Sequence, residues 1–218
     1  MIITIDGPAG AGKSTIARRV AKQLGFDFLD TGAMYRAVTW AALKRGVDVT
    51  DGDAVTALAA QIAYHTDGDR VFVDGRDVTE AIRSPEVSRA VSDVAAHPGV
   101  RRELVHWQRE AAKGKSIVTE GRDQGTVVFP DAELKIFLTA SPEERARRRV
   151  AQWREQGVEV DYEQVLEEQR RRDELDRTRP VGALQRAPDA VVIDTDGKSV
   201  EEVVEQIVDL ARERTERS

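Results

Sequence analysis

The chain has 218 residues, with 33 Lys and Arg against 39 Asp and Glu, a formal net charge of −6, 40% hydrophobic residues and 33% charged ones. Length and composition suit a globular chain with a sizeable core, either one domain with insertions or two small ones, and exclude global disorder; the acidic balance speaks against a nonspecific nucleic-acid binder. With no cysteine and three histidines, disulfide frameworks, thiol catalysis and Cys-ligated metal or iron–sulfur sites are excluded, and a His-rich metal centre is not expected.

No segment approaches the roughly 20 apolar residues that span a bilayer. Met1–Asp6 has neither the length nor the basic flank of a secretory signal. The cytoplasm is therefore the expected compartment, and the lack of a long apolar stripe makes a monomer the expected state. Of the cations, 26 are Arg and seven are Lys. Genome composition accounts for such a bias; so does a need for guanidinium forks that clamp phosphates. Position along the chain decides between them.

In chain order, short apolar runs alternate with segments of helical period, which predicts strands joined by helical crossovers and hence a parallel sheet. Strands are expected at 2–6, 26–30, 116–119, 134–138 and 190–194. Ile16, Val20 and Leu24 recur every fourth residue and Gly25 supplies a C-cap, so a helix is predicted over 13–24, and a second over 33–45 ends at Gly46.

A helical segment with Val55, Leu58 and Ile62 then gives way to the alternating run Arg70–Arg76, which contains an Asp74-Gly75 turn, and Ser84-Pro85-Glu86 opens another helix. This reads as a small inserted subdomain. Ser141-Pro142-Glu143-Glu144 combines an N-cap, an N1 proline and a capping-box glutamate; Ser199 and Glu202 repeat the device before Val203, Ile207 and Leu210. Between two Arg-rich helical segments, 152–161 is polar and contains Gly157, which suits a mobile lid. The expected core covers about 1–53, 94–150 and 180–218, the insert about 54–93 and the lid region about 151–162. There is no internal repeat and no low-complexity tract.

Gly7-Pro8-Ala9-Gly10-Ala11-Gly12-Lys13-Ser14-Thr15 fits the P-loop pattern and lies after an apolar strand and before an amphipathic helix. Glycines let successive N–H groups face one point, the helix N-terminus adds partial positive charge there, and Lys13 adds a full one. A triphosphate tail such as that of ATP fits this field. The Ser14 hydroxyl is the expected ligand of a Mg²⁺ that bridges β and γ phosphates and keeps most of its own waters. The Asn-Lys-x-Asp segment of switch GTPases is absent, and motor or helicase ATPases usually need more chain. Small kinases remain.

Four stretches then resemble the bacterial cytidylate kinases, within the nucleoside monophosphate kinases: Ile3–Pro8 running into the P-loop, Leu29–Arg36, Glu120–Asp131 and Arg172–Arg179. The resemblance implies an α/β P-loop fold: a five-stranded parallel sheet of order 2-3-1-4-5 with helices on both faces, an NMP-binding insert and a lid. It also implies Mg²⁺-dependent transfer from ATP to CMP or dCMP.

By the same resemblance, Arg36, Arg122 and Arg179 hold the acceptor phosphate, and Thr31 is part of the acceptor site. Ser92, Arg101 and Asp123 read the base, with Asp123 the acceptor for the exocyclic amine of cytosine. Arg172 and Asp176 bind the sugar. On the helix opened by Pro142, which flanks the lid, Arg145 and Arg149 are candidates to meet the transferring phosphoryl group, with Arg148 as the alternative; Lys13, Arg122 and Arg179 complete the catalytic cations. Glu120 is read as a contact to metal-bound water, where the family more often has Asp. Gln124 replaces a commoner apolar residue, and Thr31 a frequent Ser.

No general base is expected, because the attacking phosphate oxygen is already ionised. The loop Thr195–Lys198 is a candidate wall for adenine. Two other readings stay open at this point: a small kinase acting on UMP or a phosphorylated metabolite, and an ATP-gated regulatory or RNA-binding module. The net charge and the lack of an aromatic stacking motif weigh against the second.

Overall fold

A computed structural model describes residues 1–155, 157–178 and 180–216. The elements begin with β1 (Ile2–Asp6), α1 (Lys13–Leu24), β2 (Asp27–Asp30), α2 (Thr31–Lys44), α3 (Gly52–Ala59), β3 (Tyr64–Asp67), β4 (Arg70–Val73) and β5 (Arg76–Asp77). They continue with α4 (Pro85–Ala96), α5 (Pro98–Ala112), β6 (Ile117–Gly121), a turn of π-helix over Gln124–Val128, β7 (Leu134–Thr139), α6 (Pro142–Glu155), α7 (Tyr162–Thr178), β8 (Val191–Asp194) and α8 (Val200–Glu216). Contacts divide the chain into two units: Met1–Leu29 with Gly114–Ser218, and Asp30–Lys113.

The first unit is built on a five-stranded sheet of order β2-β6-β1-β7-β8. Numbered within that sheet, this is the expected 2-3-1-4-5. β1 runs parallel to β6 and β7, and β7 to β8. The period-2 alternation of β1 gives its two faces different tasks. Ile3 and Ile5 join Val118, Leu134, Ile136, Leu138 and Ile193 in a cluster that α1 completes with Ile16 and Val20, and α8 with Val203, Ile207 and Ala211. Fully burying each large aliphatic side chain contributes about 1.5–3 kcal/mol. Thr4 and Asp6, on the opposite face, are also buried, and the π-turn segment lies there: a Cβ on Gly125 would come 2.9 Å from Thr4 Oγ1.

The predicted helix punctuation holds in this unit. Gly25 adopts φ 69° after α1. Ser199 and Glu202 form a reciprocal capping box, Glu202 N donating to Ser199 Oγ at 3.2 Å and Ser199 N to Glu202 Oε2 at 2.8 Å. α6 continues to Glu155, into the segment read as a lid. Residues Ala146, Val150, Val165 and Leu166, with Trp153, Val160 and Tyr162, give the α6–α7 pair its own small apolar cluster.

In the second unit, α2 buries Ala33, Met34, Ala37, Val38, Ala41 and Ala42 at helical spacing. The Asp74-Gly75 turn joins β4 to β5 with φ 51° and 76°, both positive as a two-residue type I′ hairpin requires. β3 pairs antiparallel with β4. It escapes detection in the sequence because His65, Thr66 and Asp67 are exposed and offer no apolar alternation. This unit extends beyond the 54–93 segment because its helices pack on one another: His97 Nε2 lies 2.7 Å from the Val49 carbonyl, Tyr64 stacks on Trp107, and a Cβ on Gly99 would collide with Thr56. Among the described residues, no helix is long and apolar enough to cross a membrane.

Candidate active site

The loop between β1 and α1 is shaped by close backbone approaches. Gly7 has φ 152°, and a Cβ there would lie 2.3 Å from the Leu138 carbonyl oxygen; Gly10 has φ 82°, and its Cβ would meet Arg145 Cβ at 3.1 Å and Gln169 Nε2 at 3.2 Å. Only glycine satisfies both the dihedral and the space. The N-cap of α1 is Gly12, with no side-chain cap and no acidic residue in the first turn. By contrast, Asp30, Asp51 and Ser84 cap α2, α3 and α4. The first N–H groups of α1 therefore remain directed into the loop, as an anion cradle requires.

Lys13 is buried, and its Nζ donates to the Pro8 carbonyl at 2.8 Å. Burial, reinforced by repulsion from Arg122, pulls its pKa down to about 7. A phosphate chain is the kind of neighbour that restores its charge. Ser14 Oγ donates to Glu120 Oε1 at 2.8 Å. A hydroxyl and a carboxylate so placed form a hard-oxygen pair suited to Mg²⁺, which keeps several waters and needs few protein ligands. Among the described residues no cluster of three or more acidic, His or Cys side chains could hold a metal by itself.

At the end of β6, Arg122 Nε donates to Asp176 Oδ2 at 2.6 Å. Burial works against the Arg122 charge, but Asp176, Glu120 and Asp6 outweigh it and its pKa is raised. The backbone that follows is pinned from β1: Asp6 Oδ1 accepts from Gln124 N at 2.9 Å and Oδ2 from Gly125 N at 2.8 Å. Asp6 thus fixes the turn immediately after Arg122 and the buried Asp123. Its own pKa is raised to about 6, chiefly by burial, against the two backbone donors.

The arginines of α6 have different surroundings. Arg145 is buried and forked onto Asp173, with Nη1 to Oδ1 at 3.0 Å and Nη2 to Oδ2 at 2.5 Å. Arg148 donates to Thr195 Oγ1 and O at 3.0 and 2.7 Å, so the loop suggested as an adenine wall is tied to α6. Arg149 lies 4.7 Å above the Trp153 ring, and burial lowers its pKa. Arg172 is exposed on α7, one turn before Asp176. Arg179 lies outside the described residues.

Within the second unit, Arg36 Nη1 donates to Ser88 Oγ at 2.9 Å. Arg101 is buried with its guanidinium 5.6 Å from the Tyr35 ring centre, an environment unlike that of a solvated surface cation. Ser92 is exposed on α4, and Thr31 is buried at the start of α2.

A family model described as cytidylate kinase matches residues 3–213. The chain belongs to the cytidylate kinase family. The cytidylate kinase of Rhodopirellula baltica is 54% identical over 98% of this chain and 93% of its own length. That of Pelotomaculum thermopropionicum is 56% identical over 94% of this chain and 93% of its own length. A solved structure from Eubacterium ventriosum, described as an uncharacterized protein, shares the fold with TM-score 0.52 and 12% identity, covering 96% of this chain and 97% of that one.

The departures from the family pattern acquire a local account. Glu120 reaches Ser14 from the strand end. Gln124 is buried and accepts from Thr119 Oγ1 at 2.9 Å, so its polarity is matched inside the first unit. Two residues with evident roles in the geometry received none in the sequence reading. Asp6 was legible only as part of a motif, and Asp173 only as one more charge in an Arg-rich helix.

Proposed function

We propose that this family member transfers the γ-phosphoryl group of ATP to CMP or dCMP with Mg²⁺, working as a cytoplasmic monomer. The observation that carries the reading is the uncapped α1 N-terminus beside buried Lys13 and the Ser14–Glu120 pair, in a chain whose curated relatives are cytidylate kinases. Mg²⁺, held by Ser14 and through water by Glu120, would neutralise charge on the donor phosphates. Lys13 and the loop amides hold the triphosphate.

Arg36, Arg122 and Arg179 take the acceptor's phosphate, and offset its repulsion from the donor. Ser92, Arg101 and Asp123 read cytosine, Thr31 lines the acceptor site, and Arg172 and Asp176 meet the sugar. The acceptor oxygen attacks already ionised, so in-line positioning and cations supply the rate. Arg149 is the α6 cation assigned to the transferring group, and movement of 151–162 as a lid excludes water as a competing acceptor.

The test is Asp123→Ala. It should lower kcat/KM for CMP by roughly 100-fold or more, since a buried polar reader left unpaired discriminates strongly, while ATP affinity changes little. Equal losses for both nucleotides would remove Asp123 from base reading.

A further inference from the structure

Helix α7 carries two carboxylates three residues apart, and each holds a different arginine. Asp176 accepts from Arg122 Nε, and Asp173 takes both prongs of Arg145. Arg145 in turn donates through Nη1 to the Ala9 carbonyl at 3.0 Å and through Nε to the Ala140 carbonyl at 3.1 Å. Ala9 belongs to the phosphate loop, and the next residue, Gly10, is packed so closely on Arg145 and Gln169 that a methyl group there would crowd both. One helical turn of α7 thus joins Arg122 to the phosphate loop through named contacts.

Arg145 is poorly placed to touch a phosphoryl group. It is 2% exposed, and its partner Asp173 is 4% exposed. Swinging the guanidinium towards a ligand would strand a buried carboxylate without its cation. What Arg145 does control is the carbonyl of Ala9, and with it the direction of the adjacent amides in the loop.

We propose that Arg145 and Asp173 are positioning residues that couple occupancy of Arg122 by the acceptor's phosphate to the geometry of the phosphate loop, so that acceptor and donor bind with positive cooperativity. This rests on the reading of Arg122 as an acceptor-phosphate ligand. A phosphate dianion arriving at the η nitrogens of Arg122 competes with Asp176 for the same cation. α7 responds as a rigid helix, and Asp173 carries the change to Arg145 and Ala9. Coupling of this kind is a free-energy difference and must appear reciprocally in both affinities.

The experiment uses the full chain carrying Arg145→Lys or Asp173→Asn, which keep charge or shape and lose the two-pronged contact. Calorimetry gives the affinity for CMP alone, for a non-hydrolysable ATP analogue alone, and for each in the presence of the other. In the wild-type protein CMP should tighten the analogue several-fold. In folded variants that factor should fall to about 1, with CMP alone bound within about twofold of wild type and kcat reduced about tenfold. A folded variant that keeps the wild-type coupling factor overturns the proposal. Should both variants fail to fold, hydrogen exchange of residues 7–12 in the wild-type protein decides: CMP alone must slow it, and unchanged exchange overturns the proposal. Arg122→Lys separates the two ideas, because unaltered CMP affinity in that variant defeats the reading of Arg122 itself.

Discussion

Asp176 Oδ2 stands 2.6 Å from Nε of Arg122, with side chains only 14% and 18% exposed. The contact uses the Nε edge of the guanidinium, while Nη1 donates to the Gly121 carbonyl at 3.4 Å, so the carboxylate orients the cation it neutralises. Asp176→Ala should destabilise the fold by about 3 kcal/mol, the usual consequence of removing one partner of a largely buried pair. It should also raise KM for CMP about tenfold while KM for ATP moves less. Thermal unfolding and steady-state kinetics in parallel check both halves.

Lys13 gives a pH signature to donor binding. With its pKa pulled down to about 7 by burial and by Arg122, it is largely neutral in the free protein at pH 8. A bound triphosphate favours the charged form and raises that pKa. Binding of ATP at pH 8 should therefore take up nearly one proton, and affinity should weaken as pH rises above 7. Calorimetry in buffers of different ionisation enthalpy measures the uptake. Lys13→Met should abolish it.

Asp6 gives the opposite kind of signature, in stability. Its pKa rises from 3.8 to about 6 on folding, so between these values the folded state binds more protons than the unfolded one and stability falls as pH increases. The cost approaches about 3 kcal/mol above pH 6 at most. Denaturant titrations from pH 4 to 7 should show a decline for wild type that is flattened in Asp6→Asn. That variant should also loosen the turn after Asp123, because an amide offers one acceptor oxygen to two backbone donors.

Gly7 is the most constrained position of the phosphate loop. Its φ is 152°, and an added Cβ would lie 2.3 Å from the Leu138 oxygen on β7. Gly7→Ala should cost about 3 kcal/mol or more through backbone strain and overlap, lower Tm by roughly 10 °C and abolish ATP binding. A scanning calorimetry trace and a nucleotide titration suffice to check it.

Local signals explain what the sequence made legible. The apolar runs of β1, β6 and β7 are buried strands, so continuous hydrophobicity marks them; the run of β8 marks an edge strand of which Ile193 is buried, and Gly25 with the Ser199–Glu202 box marks helix ends because their chemistry acts within a few residues. The phosphate loop was readable for the same reason. Hidden from such signals were relationships across long chain distances. Asp6 reaches Gln124 and Gly125 over more than a hundred residues; Asp173 looks like a solvated helix charge until α6 brings Arg145 to it. The burial of Arg145 depends on that pairing, so the sequence marks it only as a candidate cation beside the lid. β3 was missed because its outward face is polar.

Cytidine monophosphates, rather than other nucleoside monophosphates, are the expected acceptors of the phosphoryl group. A coupled assay of ADP formation with ATP and Mg²⁺, offering CMP, dCMP, UMP and AMP in turn, tests this most directly. Turnover should be efficient with CMP and dCMP, and kcat/KM at least about 100-fold lower with UMP and AMP. Equal or better turnover with UMP or AMP would contradict this.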